Sequence, residues 1–595
     1  MKLKNCIKNM LHVGVIAVLA LAGNAYAADI SVTGFIRQET AYVTGDANEF
    51  NQYGNPYNGQ TLTNPALNLG TGEVFLSTVT RLPTVGVGNE NDINLFATRA
   101  EVDIKVKFTD DWSATIKLRG FYEYALDDEF DDIDLFDTGF DGGKGSVLEA
   151  NGENYMLDIP LAYLDYSKGP WWFRFGNQNI AWGESLFFRV FDVANGLDLR
   201  RHSILSVAAE EYADLRVPSL GIRGSYRFQN DWELEGWVQE FRPTIFPTTN
   251  SPYSLITNSF TIQQDEFYED VEDKLSYGFR LNGTAGDFEL SFMAVHRYNP
   301  DGVFRWTKSN INVFAGSGVP ALEGLGALLS ETAFEPSQDG SYSSNEWFHF
   351  AGRSRLDGME ALNRSIDEFP ATALLGAAVV PNRQFAAITL DTFFAALGPL
   401  KGHVAREYKD EDILGFGLSY VFTAEPDTLF DQLILKVEAS YAMDRYFTSP
   451  TLTRDFIVEN ELITNVTIEK YHRFSDSFPA TYFILEWMHK TESDFLGRHV
   501  SGFDNDGIPK GQDSYDAFVF AFQQPFPNLV WRADFTVLYE KEGGFLFQPG
   551  VKWRPSGKFQ LDLYANIIGS DGDNDDAMET FEDQDEVFAR ATWFF

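Results

Sequence analysis

The sequence predicts a transmembrane antiparallel β-barrel, and three observations carry that prediction. Long stretches alternate apolar and polar residues with the period of a strand, the N-terminus reads as an export leader, and the chain ends on an amphipathic strand closed by phenylalanine. The clearest alternation spans residues 95–122. Phe96, Ala100, Val102, Ile104, Val106 and Phe108 fall on one face, and Arg99, Glu101, Asp103, Lys105 and Lys107 on the other. After the polar turn Thr109-Asp110-Asp111 the pattern resumes with Ala114, Ile116 and Leu118 against Lys117 and Arg119. Trp112 follows the turn, where an aromatic girdle meets a membrane surface. A soluble sandwich would bury the apolar face in its own core. Strands of ten residues or more joined by short turns fit a barrel better, with lipid outside and the charged ladder lining a wet lumen.

Both chain ends agree. Lys2, Lys4 and Lys8 precede an apolar run over 11–22 that is too short to span a bilayer, and Ala25-Tyr26-Ala27 is a small-x-small cleavage site. Residues 1–27 therefore read as a signal peptide and 28–595 as the exported barrel. Cys6, the single cysteine, leaves with the leader, so no disulfide is expected. No later run is apolar and long enough for a transmembrane helix. At the other end, Val587, Ala589, Ala591, Trp593 and Phe595 share one face of a closing strand.

Between the ends, a first strand over 30–43 leads through a Gly/Asn/Pro-rich loop to the 95–122 hairpin. Further pairs are predicted at 161–175 (turning at Lys168-Gly169-Pro170), 220–228 with 232–241, and 277–283 with 288–298. The series continues at 413–422 with 433–446, 518–522 with 529–540, and 545–553 with 559–568. With strands that the alternation does not mark, roughly 14–18 are expected. The surplus length falls mainly in 303–404, which breaks the alternation. Short helices are predicted at 321–334 and 358–369, and the apolar runs 371–380 and 385–400 need cover, as a self-packed cap, a route for an apolar ligand or a docking surface.

The formal charge is −41, or −44 without the three leader lysines. That sign excludes nucleic acid and anionic phospholipid as natural partners. Much of it lies in the runs 127–141, 265–273 and 571–586, read as solvated surface loops.

Residues 173–202 begin as a strand and then stop alternating. Glycines at 176, 183 and 196 interrupt a mixture of large apolar groups with Arg174, Gln178, Trp182, Glu184, Arg189, Asp192, Asn195, Asp198, Arg200 and Arg201. Irregular polar backbone beside a membrane strand is best housed in the lumen. Its charges are expected to pair there, Glu184 or Asp192 with Arg189, Arg200, Arg201 or Arg174. The segment reads either as a salt-bridged plug or as a constriction touching a substrate.

The pattern G-N-Q-x-x-x-W-G-E at 176–184, followed by F-R-V-x-D-V-A-N-G-x-D at 188–198, resembles the shared motif of a proteobacterial outer-membrane family catalogued as a domain of unknown function. The resemblance covers nearly all of the mature chain. Gly196 stands where the pattern favours proline. Members are typically encoded beside an RND-type exporter of the MMPL group and a second periplasmic or outer-membrane protein. The resemblance thus implies the outer-membrane part of an envelope system for hydrophobic molecules, with an inner-membrane transporter, a periplasmic or lipoprotein partner and outer-membrane lipid as its neighbours.

Catalytic patterns are missing: the eight histidines are scattered without HExxH, and there is no G-x-S-x-G elbow and no phosphate loop. No enzyme and no organic cofactor are expected. Asp571, Asp573, Asp575, Glu579 and Glu582 match positions 1, 3, 5, 9 and 12 of a calcium loop, but Asp576 replaces the turn glycine and strands replace the flanking helices. A weak surface Ca²⁺ site is the most this supports. Three functions remain: a barrel passing a hydrophobic (lipid-like, steroid-like or aromatic) compound, a porin for polar solutes, and a structural or adhesive barrel.

Overall fold

The computed structural model describes residues 29–44, 55–68, 70–82, 93–124, 148–152, 154–200, 215–246, 259–426, 428–502, 510–572, 575–582 and 584–595. The leader 1–27 and the acidic run 127–141 lie outside them. Eighteen strands form the barrel. They are β1 Asp29–Val43, β2 Ile93–Lys107, β3 Trp112–Glu123, β4 Tyr155–Lys168, β5 Trp171–Gln178 and β6 Ser219–Arg227. Next come β7 Glu233–Glu240, β8 Leu275–Ala285, β9 Phe288–Tyr298, β10 Asp410–Val421, β11 Leu433–Phe447 and β12 Ile457–His472. The circuit is completed by β13 Thr481–Lys490, β14 Tyr515–Pro525, β15 Trp531–Glu540, β16 Phe545–Ser556, β17 Phe559–Gly569 and β18 Glu586–Phe594. Each pairs antiparallel with its successor, and β18 closes on β1 with Phe35 opposite Phe594. No helix among the described residues is long and apolar enough to cross a membrane, and the eighteen strands pair edge to edge around a closed circuit.

The alternation sets the faces. Phe96, Leu118 and Leu485 are exposed on the outside, whereas Arg99, Glu101 and Arg119 are buried inside. Both chain ends and the short turns lie at one end, the periplasmic end of such barrels. An aromatic belt rings it: Trp112 on Tyr166 (4.7 Å), Trp171 on Tyr226 (4.5 Å), Phe288 on Tyr420 (4.9 Å), Tyr471 on Tyr482 (4.6 Å) and Trp531 on Trp553 (5.8 Å). Such rings sit at the lipid–water boundary because one edge is apolar and the other tolerates water. The terminal Phe595 exchanges two backbone hydrogen bonds with Gly34, at 3.1 and 3.0 Å, and its ring occupies the space that a Cβ on residue 34 would need.

The long connections gather at the opposite end into a cap. Its centre is a four-stranded sheet in which Leu400–Glu407 takes Phe260–Gln263 in parallel and Val303–Trp306 and Phe334–Ser341 antiparallel. Helices pack on it. Pro320–Leu329 has proline in its first turn, and Gly358–Glu368 is capped by Asp357 Oδ1, which accepts from the N–H groups of Met359 and Glu360 at 3.0 and 2.7 Å. The expected 321–334 helix stops early, and Phe334 opens a strand. Ser344–Arg353 and Arg383–Leu397 are helical as well, and the second carries the apolar run predicted near 385–400. Trp306 and Trp347 stack at 6.2 Å in the cap core, and their indole N–H groups donate to Ala361 O and Gly358 O, both at 2.8 Å. The hairpin Thr61–Leu67/Val74–Thr80 joins from the β1–β2 connection. Arg81 Nε donates to Glu346 Oε1 at 2.8 Å, and Asn64 Nδ2 to Asp391 Oδ1 at 3.2 Å.

Candidate functional site

The G-N-Q stretch is where the chain leaves the barrel wall. Gly176 adopts φ 130°, and a Cβ there would stand 2.2 Å from Ala162 O, so only glycine lets β5 approach β4 so closely. Asn177 Nδ2 donates to Ile159 O at 3.0 Å on one neighbouring strand, and Gln178 Nε2 to Gly221 O at 3.1 Å on the other. These two buried amides replace the ladder bonds that β5 gives up as it departs.

The chain then crosses the lumen, held by wall residues through its backbone. Glu438 Oε1 on β11 accepts from Glu184 N–H at 2.7 Å, and its Oε2 accepts from the Ser185 hydroxyl at 2.8 Å. Glu486 Oε2 on β13 accepts from the N–H groups of Leu186 and Phe187, both at 3.3 Å. Trp182 packs edge-on against Trp237 at 5.9 Å, and its Nε1–H donates to Glu235 Oε1 at 2.8 Å. Asn195 closes the loop: its Oδ1 accepts from Ile180 N–H at 2.8 Å, and its Nδ2 donates to Val217 O at 2.9 Å. Arg189 donates to the carbonyls of Asp192 (2.9 Å) and Asn195 (2.6 Å). At Gly196 a Cβ would lie 2.7 Å from Thr244 N, so the chain passes the 243–244 backbone too closely for any side chain, proline included.

The expected ion pairs are corrected by this geometry. Asp192 pairs with Arg216 at 2.7 Å, while Glu184 contributes its backbone N–H and stands 3.8 Å from Lys436. Arg174 is occupied by Asp165 on the adjacent strand at 2.8 Å. Arg200 and Asp198 do pair, at 2.9 Å, joined by Glu149 at 2.6 Å. Arg201 lies outside the described residues. In the wall ladder, Arg99 Nε meets Glu101 at 2.9 Å, Lys117 lies 3.1 Å from Glu101 and 3.7 Å from Asp103, and Arg119 Nε meets Asp158 at 2.8 Å. Lys105 is exposed toward the periplasmic end, and Lys107 belongs to the rim, paired with the turn residue Asp110 at 2.8 Å.

Between the crossing segment and the cap lies a cavity of about 390 Å³. Its floor is Phe187, Val190, Val193 and Leu197; its roof is Phe260, Leu356 and Val404. Its side is an inner wall that the sequence reading assigned to polar groups, yet Ile413, Ala442, Met488, Val519, Leu538 and Leu546 point inward and are buried. The signal was present in β14, where Phe518, Phe520 and Phe522 face lipid while Ala517, Val519 and Ala521 face the lumen. A strand apolar on both faces is buried on both. A polar edge completes the chamber with Arg189, Asp192, Arg297, Asp301, Arg445 and Lys490. Burial pushes the Asp301 carboxyl up, but Arg189, the Thr244 hydroxyl and Arg297 outweigh it and hold it below the usual carboxylate range.

The calcium-loop residues are rearranged. Asp571, Asp575 and Asp576 each bring an oxygen within 4.8 Å of the others, whereas Glu582 turns to Arg353 at 3.4 Å, Glu579 is not among the gathered carboxylates, and Asp573 lies outside the described residues. Lys510 already meets Asp575 at 3.0 Å, and Met578–Phe581 forms a 3₁₀ turn in place of an exiting helix.

Among solved structures, the fold is similar to OccAB2 of Acinetobacter baumannii, at 7% identity over 95% of this chain and 98% of that one, with a TM-score of 0.43. It is similar also to the outer membrane channel DcaP of Acinetobacter baumannii (9% identity, 96% and 97% covered, TM-score 0.31). OmpT of Vibrio cholerae shows 10% identity, 96% and 100% coverage and a TM-score of 0.31. No curated protein matches by sequence. The family model described as "Protein of unknown function (DUF1302)" matches residues 9–595, and with nearly its whole length matched the chain belongs to that family.

Proposed function

We propose that this barrel sits in the outer membrane of a Gram-negative bacterium and passes hydrophobic or amphipathic small molecules through the capped chamber in its lumen. The observation that carries the reading is the chamber itself: an apolar inner wall, an apolar floor and an apolar roof enclose a volume that suits a small-molecule ligand. A polar-solute pore has no use for a lumen-facing Val519, Leu538 and Leu546, since water gains nothing from apolar lining. The charged edge at Arg189, Asp301 and Arg445 suits a ligand with one polar end. Exchange with an inner-membrane RND-type transporter through a periplasmic or lipoprotein partner extends the proposal, resting on the family resemblance, and co-purification from cross-linked envelopes tests it.

Binding of a naphthylamine dye whose fluorescence rises in apolar surroundings tests the chamber directly. Purified barrel should enhance the dye saturably, and Leu538→Glu should abolish the enhancement while the barrel still folds. Unsaturable or unchanged signal in that variant would defeat the reading. A polar channel is the second reading, favoured by the small cavity lined by Arg37, Asp534, Lys552, Asp562 and Arg590, which adjoins the chamber along β15 and β16 at Thr536 and Gln548. Large steady conductance in planar bilayers would select it.

A further inference from the structure

Lys490 is the last residue of β13 and shares its buried, inward face with Glu486 and Met488. It lies on the polar edge of the chamber and is only 7% exposed. A lysine ammonium carries three N–H donors. Here one donates to Asp494 O at 2.7 Å, and among the described residues no carboxylate oxygen stands within 4.0 Å of Nζ. A buried lysine is expected to be paired, because an ion withdrawn from water without a partner loses hydration that nothing replaces.

The carboxylates around it are already answered. Glu461, on the neighbouring strand β12, gives Oε2 to Arg445 at 2.5 Å and Oε1 to the Ser493 hydroxyl. Asp494 takes Arg498 Nε at 2.7 Å and the N–H groups of Leu496 and Arg498, both at 2.9 Å. Further along the edge, Glu411 meets Arg297 at 2.6 Å and Asp192 meets Arg216 at 2.7 Å. Asp301 accepts from the Thr244 hydroxyl and lies in the fields of Arg189, Arg297 and Arg445. Among these described groups six cations meet five carboxylates, and the excess falls at Lys490, which a carbonyl alone holds. Beside it begins the apolar wall, with Ile463 as its ladder partner and Met488 two residues back.

Resting on the chamber's role as a ligand site, we propose that Lys490 receives an acidic head group, so that the ligand is a singly charged anionic amphipath such as a long-chain carboxylate. The two oxygens of such a head accept the N–H donors that the protein leaves unused, while its chain lies along the apolar wall. Charge-assisted hydrogen bonds of this kind are about twice as strong as neutral ones. A neutral alcohol fills the same space and leaves the ammonium charge unanswered, and a cationic head is repelled by it. Lysine suits the task, since its compact charge and rotatable donors tolerate a head that arrives in more than one orientation.

The test sets laurate, dodecanol and dodecylammonium to displace the naphthylamine dye from the folded mature barrel at neutral pH, where the acid and the amine are both ionised. Laurate should compete at least about 10-fold more strongly than dodecanol, the discrimination expected of one hydrogen bond to a charged group. Lys490→Met keeps the length of the side chain and removes its charge, so it should erase that preference, whereas Lys490→Arg should retain it. A preference surviving in folded Lys490→Met would overturn the assignment. So would dodecanol matching laurate, or dodecylammonium surpassing both, on the wild-type barrel, a comparison that needs no variant to fold and leaves the chamber standing. Displacement by none of the three would remove the chamber as a ligand site and the assignment with it.

Discussion

Glu438→Ala removes the acceptor of two hydrogen bonds that hold the crossing segment to the wall, those from Glu184 N–H at 2.7 Å and Ser185 Oγ at 2.8 Å. Hydrogen bonds to a charged group contribute about 1.5–3 kcal/mol each, and a donor left buried without an acceptor costs a similar amount. The Ser185 oxygen already accepts from Asn465 Nδ2 at 2.9 Å, and that amide cannot take the hydroxyl proton in return, so the hydroxyl and the backbone N–H both lose their acceptor. A net loosening of about 3 kcal/mol raises the population of the displaced segment roughly 100-fold, since each 1.4 kcal/mol is a factor of ten. The strands are untouched, so the barrel should assemble normally. Single-channel recording is the assay: wild-type protein should stay closed for long periods, and Glu438→Ala should show frequent brief openings. Glu438→Gln, which keeps a carbonyl acceptor, should fall between them. A silent trace from a folded Glu438→Ala barrel would refute the idea that this segment closes the lumen.

Four further outcomes are expected. Val102 lies midway between the aromatic ends of β2, so Val102→Lys should destabilise the barrel by about 2–4 kcal/mol in a urea refolding titration, whereas Asp103→Val should change it far less. Deleting Phe595 removes two backbone bonds to Gly34 and should reduce the heat-modifiable form in outer-membrane fractions. Trp306→Ala empties the cap core at a cost of about 3–5 kcal/mol, and should make the 303–404 region protease-sensitive while the barrel band survives. Burial raises the carboxyl of Asp494, but Arg498 (2.7 Å) and Arg355 outweigh it and hold it below the ordinary value. A depressed folded value means that this stabilisation is complete above about pH 4 and is lost as pH falls through the folded value. Asp494→Asn should therefore flatten the acid limb of the unfolding curve, and parallel limbs would contradict the pairing.

The strands were legible because lipid and water impose opposite demands on alternate residues, and 95–122 obeys them throughout. β12 and β13 were not picked out. Thr464 faces outward with Leu462 and Val466 while Ile463 faces the chamber, and that exchange blurs the alternation. The crossing segment announced itself through its glycines and mixed polarity. Its partners did not, because Glu438 and Glu486 lie some 250–300 residues further along and receive backbone groups, which every sequence carries alike. The chamber wall was hidden for a related reason: an inward apolar residue and an outward one look the same until the register is known.

The cap is stitched from connections far apart in the chain. Phe260–Gln263 lies parallel to Leu400–Glu407, and Arg81 reaches Glu346 across the mouth. None of these contacts can form until the intervening strands have brought the loop bases together, because closing so long a loop in a free chain is entropically unfavourable. On this entropic argument the cap contacts are favoured once the strands have closed, so the mouth is roofed after the wall is built. During that interval Trp306, Trp347 and Phe260 are bare, and anything apolar at the cell surface competes with the lid for them.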